Sequence, residues 1–241
     1  MYTLYKNEWL KLRRQFLWVI ILFVPIAGVL LGTFSYVDSY DLLVDGENEW
    51  YAFWTQITFF YGLFIFPILA GIYAAFICRS EHQNGGWKHL LSLPVSRFQL
   101  FFAKLFTLYT LLFLTQVILF VTAILIGMQV NESTNIPLSF LVGATAFGWI
   151  ATFPLAMIQL WMSINTRSFA IALGINITFV LGSLVTMIVG IEQFYPWAHP
   201  SIAMGSPEEV NISKNGIFNI ITLYFIILSS FFIFKFQRKE I

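Results

Sequence analysis

The sequence predicts an all-α integral membrane protein of six transmembrane helices, with an N-terminal interfacial helix and a short amphipathic helix between spans 2 and 3. Three observations lead there. First, 59% of the 241 residues are hydrophobic and 10% are charged, whereas soluble domains carry about 25% charge. Second, the charges cluster and leave six uncharged runs: Gln15 to Val37, Trp50 to Cys78, Leu105 to Asn131, Ser133 to Thr166, Ser168 to Ile191 and Asn215 to Phe234. Each is long enough for the roughly 20 apolar residues that cross a hydrocarbon core of about 30 Å. Third, the charges alternate in sign across those runs. Twelve of the 13 basic residues fall on one side (Lys6, Lys11, Arg13, Arg14, Arg79, Lys88, Arg97, Lys104, Arg167, Lys235, Arg238 and Lys239), and Lys214 falls on the other. Nine of the 12 acidic residues occupy the side of Lys214. Lysine and arginine are retained on the cytoplasmic face, so both termini are expected there, in a multi-pass protein of the cell membrane.

Residues 1–15 predict the interfacial helix. Tyr5, Trp9, Leu12 and Phe16 recur at spacings of 4, 3 and 4, one face of a helix, with lysines and arginines around the rest. Such a helix lies along the headgroups with Trp9 as its anchor. Spans are expected at about 16–37, 54–78, 100–127, 138–164, 169–190 and 216–234, in one transmembrane domain covering 1–241. The first run is too long for a signal-peptide core and is expected to stay as a span. Trp50, Tyr51 and Trp54, ahead of span 2, suit an outer aromatic belt. Asn165 to Ser168 form a short turn that makes spans 4 and 5 antiparallel neighbours. Between spans 5 and 6, Pro196, Pro200 and Pro207 exclude a further span, although the stretch FYPWAHPSIAMG is apolar enough to dip back toward the membrane. The single cysteine, Cys78, leaves the outer loops without an internal disulfide.

The loop from Arg79 to Lys104 carries most of the information. Ser96 is placed as an N-cap with Gln99 three residues on, the spacing of a capping box, and Val95 and Leu100 hold the flanking staple positions. Ahead of Pro94, Trp87, Leu90 and Leu91 share a helical face, and Gly85-Gly86 separates this piece from span 2. A docking element has this pattern, and so does a helix lying on the membrane surface; the residues by themselves leave the two open.

The loop's motif resembles the first cytoplasmic loop of ABC-2-type permeases: Glu81, Gly85-Gly86, Trp87-Lys88, Leu90-Leu91-Ser92-Leu93, Pro94-Val95-Ser96-Arg97 and Ala103-Lys104. The basic N-terminal helix, the six spans and the proline-bearing outer segment are similar to that family as well, nearest in style to permeases of the lantibiotic-immunity and bacitracin-resistance kind. The resemblance implies a transport subunit without its own ATPase, and no GxxxxGK[ST] phosphate-binding loop occurs in the chain. It implies that the amphipathic piece is a coupling helix received by a separate ATP-binding cassette subunit. Glu81, Trp87, Lys88 and Arg97 then fall at the contact, Leu90, Leu91 and Pro94 hold its shape, and Arg167 marks a second docking point. It also implies a second permease, as homodimer or heterodimer, and export of an amphipathic, lipid-like or membrane-active peptide substrate.

Other chemistry is poorly supplied. His82, His89 and His199 lack ligand spacing for a metal, and no cofactor or nucleic-acid partner is expected. No charged residue lies well inside a span, against a proton-coupled carrier. An intramembrane enzyme needs a base beside its nucleophile at depth, and the spans offer none. A substrate-binding subunit of an uptake system is the alternative, meeting a scaffold protein instead of an ATPase. Gln56, Gln116, Gln159 and Asn176 are the polar side chains within or near the membrane; hydrogen bonding between helices is their ordinary role, and lining a substrate path is the second reading.

Overall fold

A computed structural model describes residues 2–13, 15–43, 48–83, 86–87, 96–133, 135–206, 216, 219–224 and 227. Every regular element among them is helical. Five helices are long and apolar enough to cross a membrane: span 1 (Leu17–Asp38), span 2 (Glu49–His82), span 3 (Arg97–Val130), span 4 (Leu138–Asn165) and span 5 (Phe169–Val189). The protein is therefore a multi-pass membrane protein. Of the expected sixth span, residues 219–224 are helical, and the remainder of 216–234 lies largely outside the described residues.

Spans 2 and 3 exceed their expected lengths at both ends, 34 residues each, or about 50 Å at 1.5 Å per residue. Local signals explain the ends. Asn48 caps span 2 by accepting from the Trp50 amide at 3.1 Å, with Glu49 in the first turn, where a negative charge suits the helix dipole. Ser96 and Gln99 form the expected reciprocal capping box at the start of span 3. Span 5 ends on Gly190, whose φ of 76° is the left-handed conformation in which helices commonly stop.

Small residues let the spans cross closely. A Cβ on Gly32 of span 1 would lie 2.6 Å from the Ile57 Cα of span 2, so backbone meets backbone there. Span 2 contains an eight-residue π segment, Thr58–Ile65, after which Phe66 donates to the Tyr61 carbonyl five residues back. Span 4 breaks at Thr152, because Pro154 follows at the start of the next helical piece and has no N–H to offer the preceding turn.

The stretch after span 5, expected on the outer side, is part of the core. Trp197 is 5% exposed, and the short helix His199–Met204 is buried along most of its length. Gly62 of the π segment lies against Ser201, and Gly148 of span 4 lies against Met204. The apolar run thus folds back between spans 2 and 4, as its composition allows. This packing also changes the role expected of the tryptophans. Trp50 and Trp54 are 1% and 0% exposed and belong to the core instead of an outer belt. Their indole N–H groups donate to the Ser133 and Met204 carbonyls at 3.0 and 2.7 Å, which allows a large ring to be buried without an orphaned donor.

The N-terminal helix runs Tyr2–Leu12, and its aromatic stripe meets protein. Tyr5 donates to Thr110 Oγ1 at 3.3 Å and packs edge-on against Phe106 of span 3. Trp9 packs on Trp18 of span 1, with ring centroids 5.5 Å apart. Phe16 points away, 75% exposed.

Candidate functional site at the basic end

Four charges meet where the N-terminal helix crosses the ends of spans 2 and 3. Lys104, fully buried, donates to Glu8 Oε2 at 2.9 Å and to the Ile77 carbonyl at 3.2 Å, and pairs with Glu81 Oε1 at 3.1 Å. Three partners match the three donors of an ammonium group. Lys11 pairs with Glu8 Oε1 at 2.8 Å and Glu81 Oε1 at 2.7 Å. Two cations and two anions close a neutral cluster, with both carboxylates nearly inaccessible to solvent. Glu8 and Lys11 are one helical turn apart and share a face. Glu81 closes span 2, and Lys104 lies two turns into span 3. The cluster therefore fastens three elements at one point.

Gly86 and Trp87, in the loop after span 2, lie back against this cluster. Gly86 donates to the Gln83 carbonyl, and a Cβ at Gly86 would stand 2.9 Å from the Glu81 Cα. A side chain at that position would push the loop off the helix end. Lys104 Nζ lies 5.9 Å from the Trp87 ring centroid, a cation–π distance. The Trp87 indole donates to His82 Nδ1 at 3.3 Å. Tryptophan has no acceptor to offer, so His82 Nδ1 accepts and His82 carries its proton on Nε2, which donates to the Ser163 carbonyl at 2.7 Å. His82 thus links Trp87, in the loop after span 2, to the end of span 4.

Beside His82 lies a cavity of about 160 Å³ lined by Arg79, Gln83, Ser163, Thr166, Arg167 and Ser168, with Ala75, Phe169 and Ala172 as apolar wall. Among the expected contact residues, Glu81 is thus buried and ion-paired, Trp87 covers Lys104, Arg97 opens span 3 directly after its cap, and Arg167 faces this cavity. Lys88, Leu90, Leu91 and Pro94, together with the amphipathic piece they form, lie outside the described residues. Glu8, Lys11 and Arg79 are members of the site that sequence reasoning did not single out. One signal points to Glu8: it is one of three acidic residues on the basic side of the topology.

The four membrane polar residues divide. Gln56 accepts from Ser35 Oγ at 2.9 Å, joining spans 1 and 2. Gln159 donates to Asn176 Oδ1, which also accepts from Trp197 Nε1 at 2.9 Å, while Asn176 Nδ2 donates to the Pro67 carbonyl at 3.0 Å. That knot ties spans 2, 4 and 5 to the outer stretch. Gln116 and Gln159 each bury an Oε1 without a partner among the described residues, but of the four only Gln116 lines the groove of about 240 Å³ between spans 3 and 4. Phe113, Val117, Phe120, Val142 and Trp149 give that groove an apolar lining.

A bundle of long apolar helices, clamped by ion pairs at one end and carrying no phosphate-binding loop in its sequence, defines a polytopic membrane subunit. The profile of the ABC-2 family transporter proteins matches residues 4–184. The chain belongs to that family and is a membrane transport subunit, of a kind that typically works with an ATPase partner. The match takes in the N-terminal helix, the cluster of four charges and nearly all of the five spans, and it ends before the buried outer stretch. A search of curated proteins found no match.

Proposed function

We propose that this subunit is the permease half of an ATP-driven exporter, with its basic end facing the cytoplasm and a separate ATP-binding subunit docked on the loop between spans 2 and 3. Two permeases, identical or related, form the translocating unit. The observation that carries this reading is the four-charge cluster directly beneath that loop. A push on a loose loop dissipates in side-chain motion, whereas here Gly86 and Trp87 of the loop rest on Glu81 and Lys104, which bind the N-terminal helix and two spans together. Trp87, Lys88 and Arg97 supply the contact, with Leu90, Leu91 and Pro94 shaping it. Glu81 acts from below as a positioning residue, and the turn bearing Arg167 lies alongside through His82. A nucleotide-dependent push then biases two arrangements of the bundle, as any such switch requires.

The groove between spans 3 and 4 supports the cargo class. An apolar wall with one unpartnered amide oxygen suits an amphipathic molecule entering from the bilayer, either lipid-like or a membrane-active peptide of the kind handled by lantibiotic-immunity permeases. Crosslinking tests the docking. Lys88→Cys in a Cys78→Ser background, in native membranes, should yield an adduct with a protein containing a GxxxxGK[ST] loop. Cys78 is 1% exposed, so its replacement removes background without altering a surface. A folded protein that gives lipid adducts alone would place the loop on the membrane surface and end this reading.

A further inference from the structure

The cavity between the ends of spans 2, 4 and 5 has chemistry that transport by itself does not use. Arg79 and Arg167 line it, and both are exposed with no ion pair among the described residues. The two acidic residues described at this end, Glu8 and Glu81, are already held by Lys11 and Lys104. Two guanidinium charges are therefore left without a counter-charge among the described residues. Ser163 adds a second, independent observation. Its side chain is 2% exposed, its Oγ has no partner among the described residues, and it lines the cavity. Burying a hydroxyl without a partner is unfavourable, so its place in a polar cavity marks a position where a ligand atom belongs.

The start of span 5 completes the arrangement. Ser168 occupies the N-cap position, yet its side chain makes no capping bond, and the first turn holds no acidic residue. The open amides and helix dipole favour an anion there, and Phe169 and Ala172 of that first turn form part of the cavity wall. Arginine forks, hydroxyl donors and a helix N-terminus are together the donor set of a phosphate site. The volume of about 160 Å³ is many times what one water needs.

We propose that this cavity binds a phosphate group, that of an anionic phospholipid whose acyl chains lie along span 5. The lipid source is favoured by what continues from the cavity. Ile171, Ile177, Leu181 and Val185 of span 5 are 57%, 39%, 55% and 62% exposed, an open apolar face that starts at the cavity wall. A headgroup held there sits next to His82 and hence, through Trp87, next to the loop after span 2. Lipid occupancy is in this way joined to the coupling region, although lipid binding itself does not depend on the ATPase reading.

The test uses the full-length subunit in a neutral detergent, titrated with phosphatidylglycerol, phosphatidylcholine or inorganic phosphate and read by native mass spectrometry. One phosphatidylglycerol per chain should bind saturably, about tenfold more tightly than phosphatidylcholine. Arg79→Gln with Arg167→Gln should weaken it at least tenfold, and Ser163→Ala, a change of one hydroxyl that leaves the fold intact, should weaken it several-fold. Arg13→Gln, an exposed basic residue at the same end, should leave it unchanged and so excludes general charge attraction. Phosphatidylglycerol binding indifferent to all three cavity substitutions would overturn the proposal. Saturable binding of inorganic phosphate with the same sensitivity, and no lipid bound, would make this a free-phosphate site and overturn the lipid assignment. Unchanged lipid binding with lost capture of the ATP-binding subunit would give the arginines to a protein carboxylate and also overturn it.

Discussion

Lys104→Met removes one charge from a cluster that is neutral as it stands, and the size of the effect can be worked out beforehand. Methionine keeps the length and the apolar stem, so packing changes little. What remains is Glu8 and Glu81, 3% and 2% exposed, sharing Lys11 as their one cation. Two unit charges about 3 Å apart attract by about 5–6 kcal/mol at an effective dielectric of about 20, and Lys104 makes two such contacts. Several kcal/mol of its desolvation are recovered when the ammonium is lost. The balance should resemble other buried ion pairs that lose one partner, a loss of about 3–5 kcal/mol. For a chain of this size that lowers the melting temperature by about 6–20 °C, readable by intrinsic tryptophan fluorescence in detergent.

The companion variant separates charge from packing. Adding Glu81→Gln to Lys104→Met leaves Glu8 with Lys11 and restores neutrality, so the double variant should regain about 1–3 kcal/mol over the single one. If Lys104→Met melts within about 1 kcal/mol of the parent, or if the two substitutions simply add, the four residues do not act as a unit. The mechanical argument for the coupling region would then fail with them.

Gly71→Ala should cost about 1–3 kcal/mol, because its Cβ would lie 2.1 Å from Asn176 Nδ2 and would break the knot with Gln159 and Trp197. Gly174→Ala, with nothing within 4 Å of its Cβ, should be neutral or stabilise by about 0.5–1 kcal/mol, and thermal unfolding of the pair compares them directly. Ser96→Ala should cost about 0.5–2 kcal/mol and speed hydrogen exchange at the Gln99 amide, which Ser96 Oγ accepts at 3.2 Å. Burial pushes the His199 imidazole from 6.5 down to about 4, so the unfolded chain binds the extra proton more readily than the folded one. Its contribution is intact above about pH 6.5 and is lost as the pH falls toward 4, up to about 3 kcal/mol; melting temperatures at pH 7.5 and 5 should diverge less for His199→Gln than for the parent.

Much of the fold was legible because lipid leaves few options. An uncharged run of more than 20 residues must satisfy its backbone internally, and a helix does so; five of the expected spans stand close to their expected positions. The capping box at Ser96 and Gln99 was readable for the same reason, as a purely local device. What the pattern did not give is burial by contact between distant segments. Trp50 and Trp54 have the composition of an interfacial belt, yet Trp50 is buried against the end of span 3 and Trp54 against the returning helix at Met204. The π segment of span 2 was equally hidden, since TFFYGLFI carries no local signal distinguishing it from ordinary apolar helix.

The site was half legible in a more instructive way. Topology identifies charges that belong to an interface with water, and by that logic Lys104, Glu81 and Lys11 read as solvated or docking residues. Yet charges are placed on the basic side by the demands of insertion, and an acidic residue there has no topological reason to exist. Glu8 and Glu81 are two of the three that do, and both are buried against lysines. An anion among retained cations is thus a sign of internal pairing, and the same count singles out the cations left over. Among the cations not used by the two glutamates, Arg79 and Arg167 line one cavity and make no ion pair among the described residues. Charge and geometry together separate the two sets at one end of the bundle: the paired charges fasten the N-terminal helix to spans 2 and 3, and Arg79 and Arg167 share the cavity proposed to bind an anion.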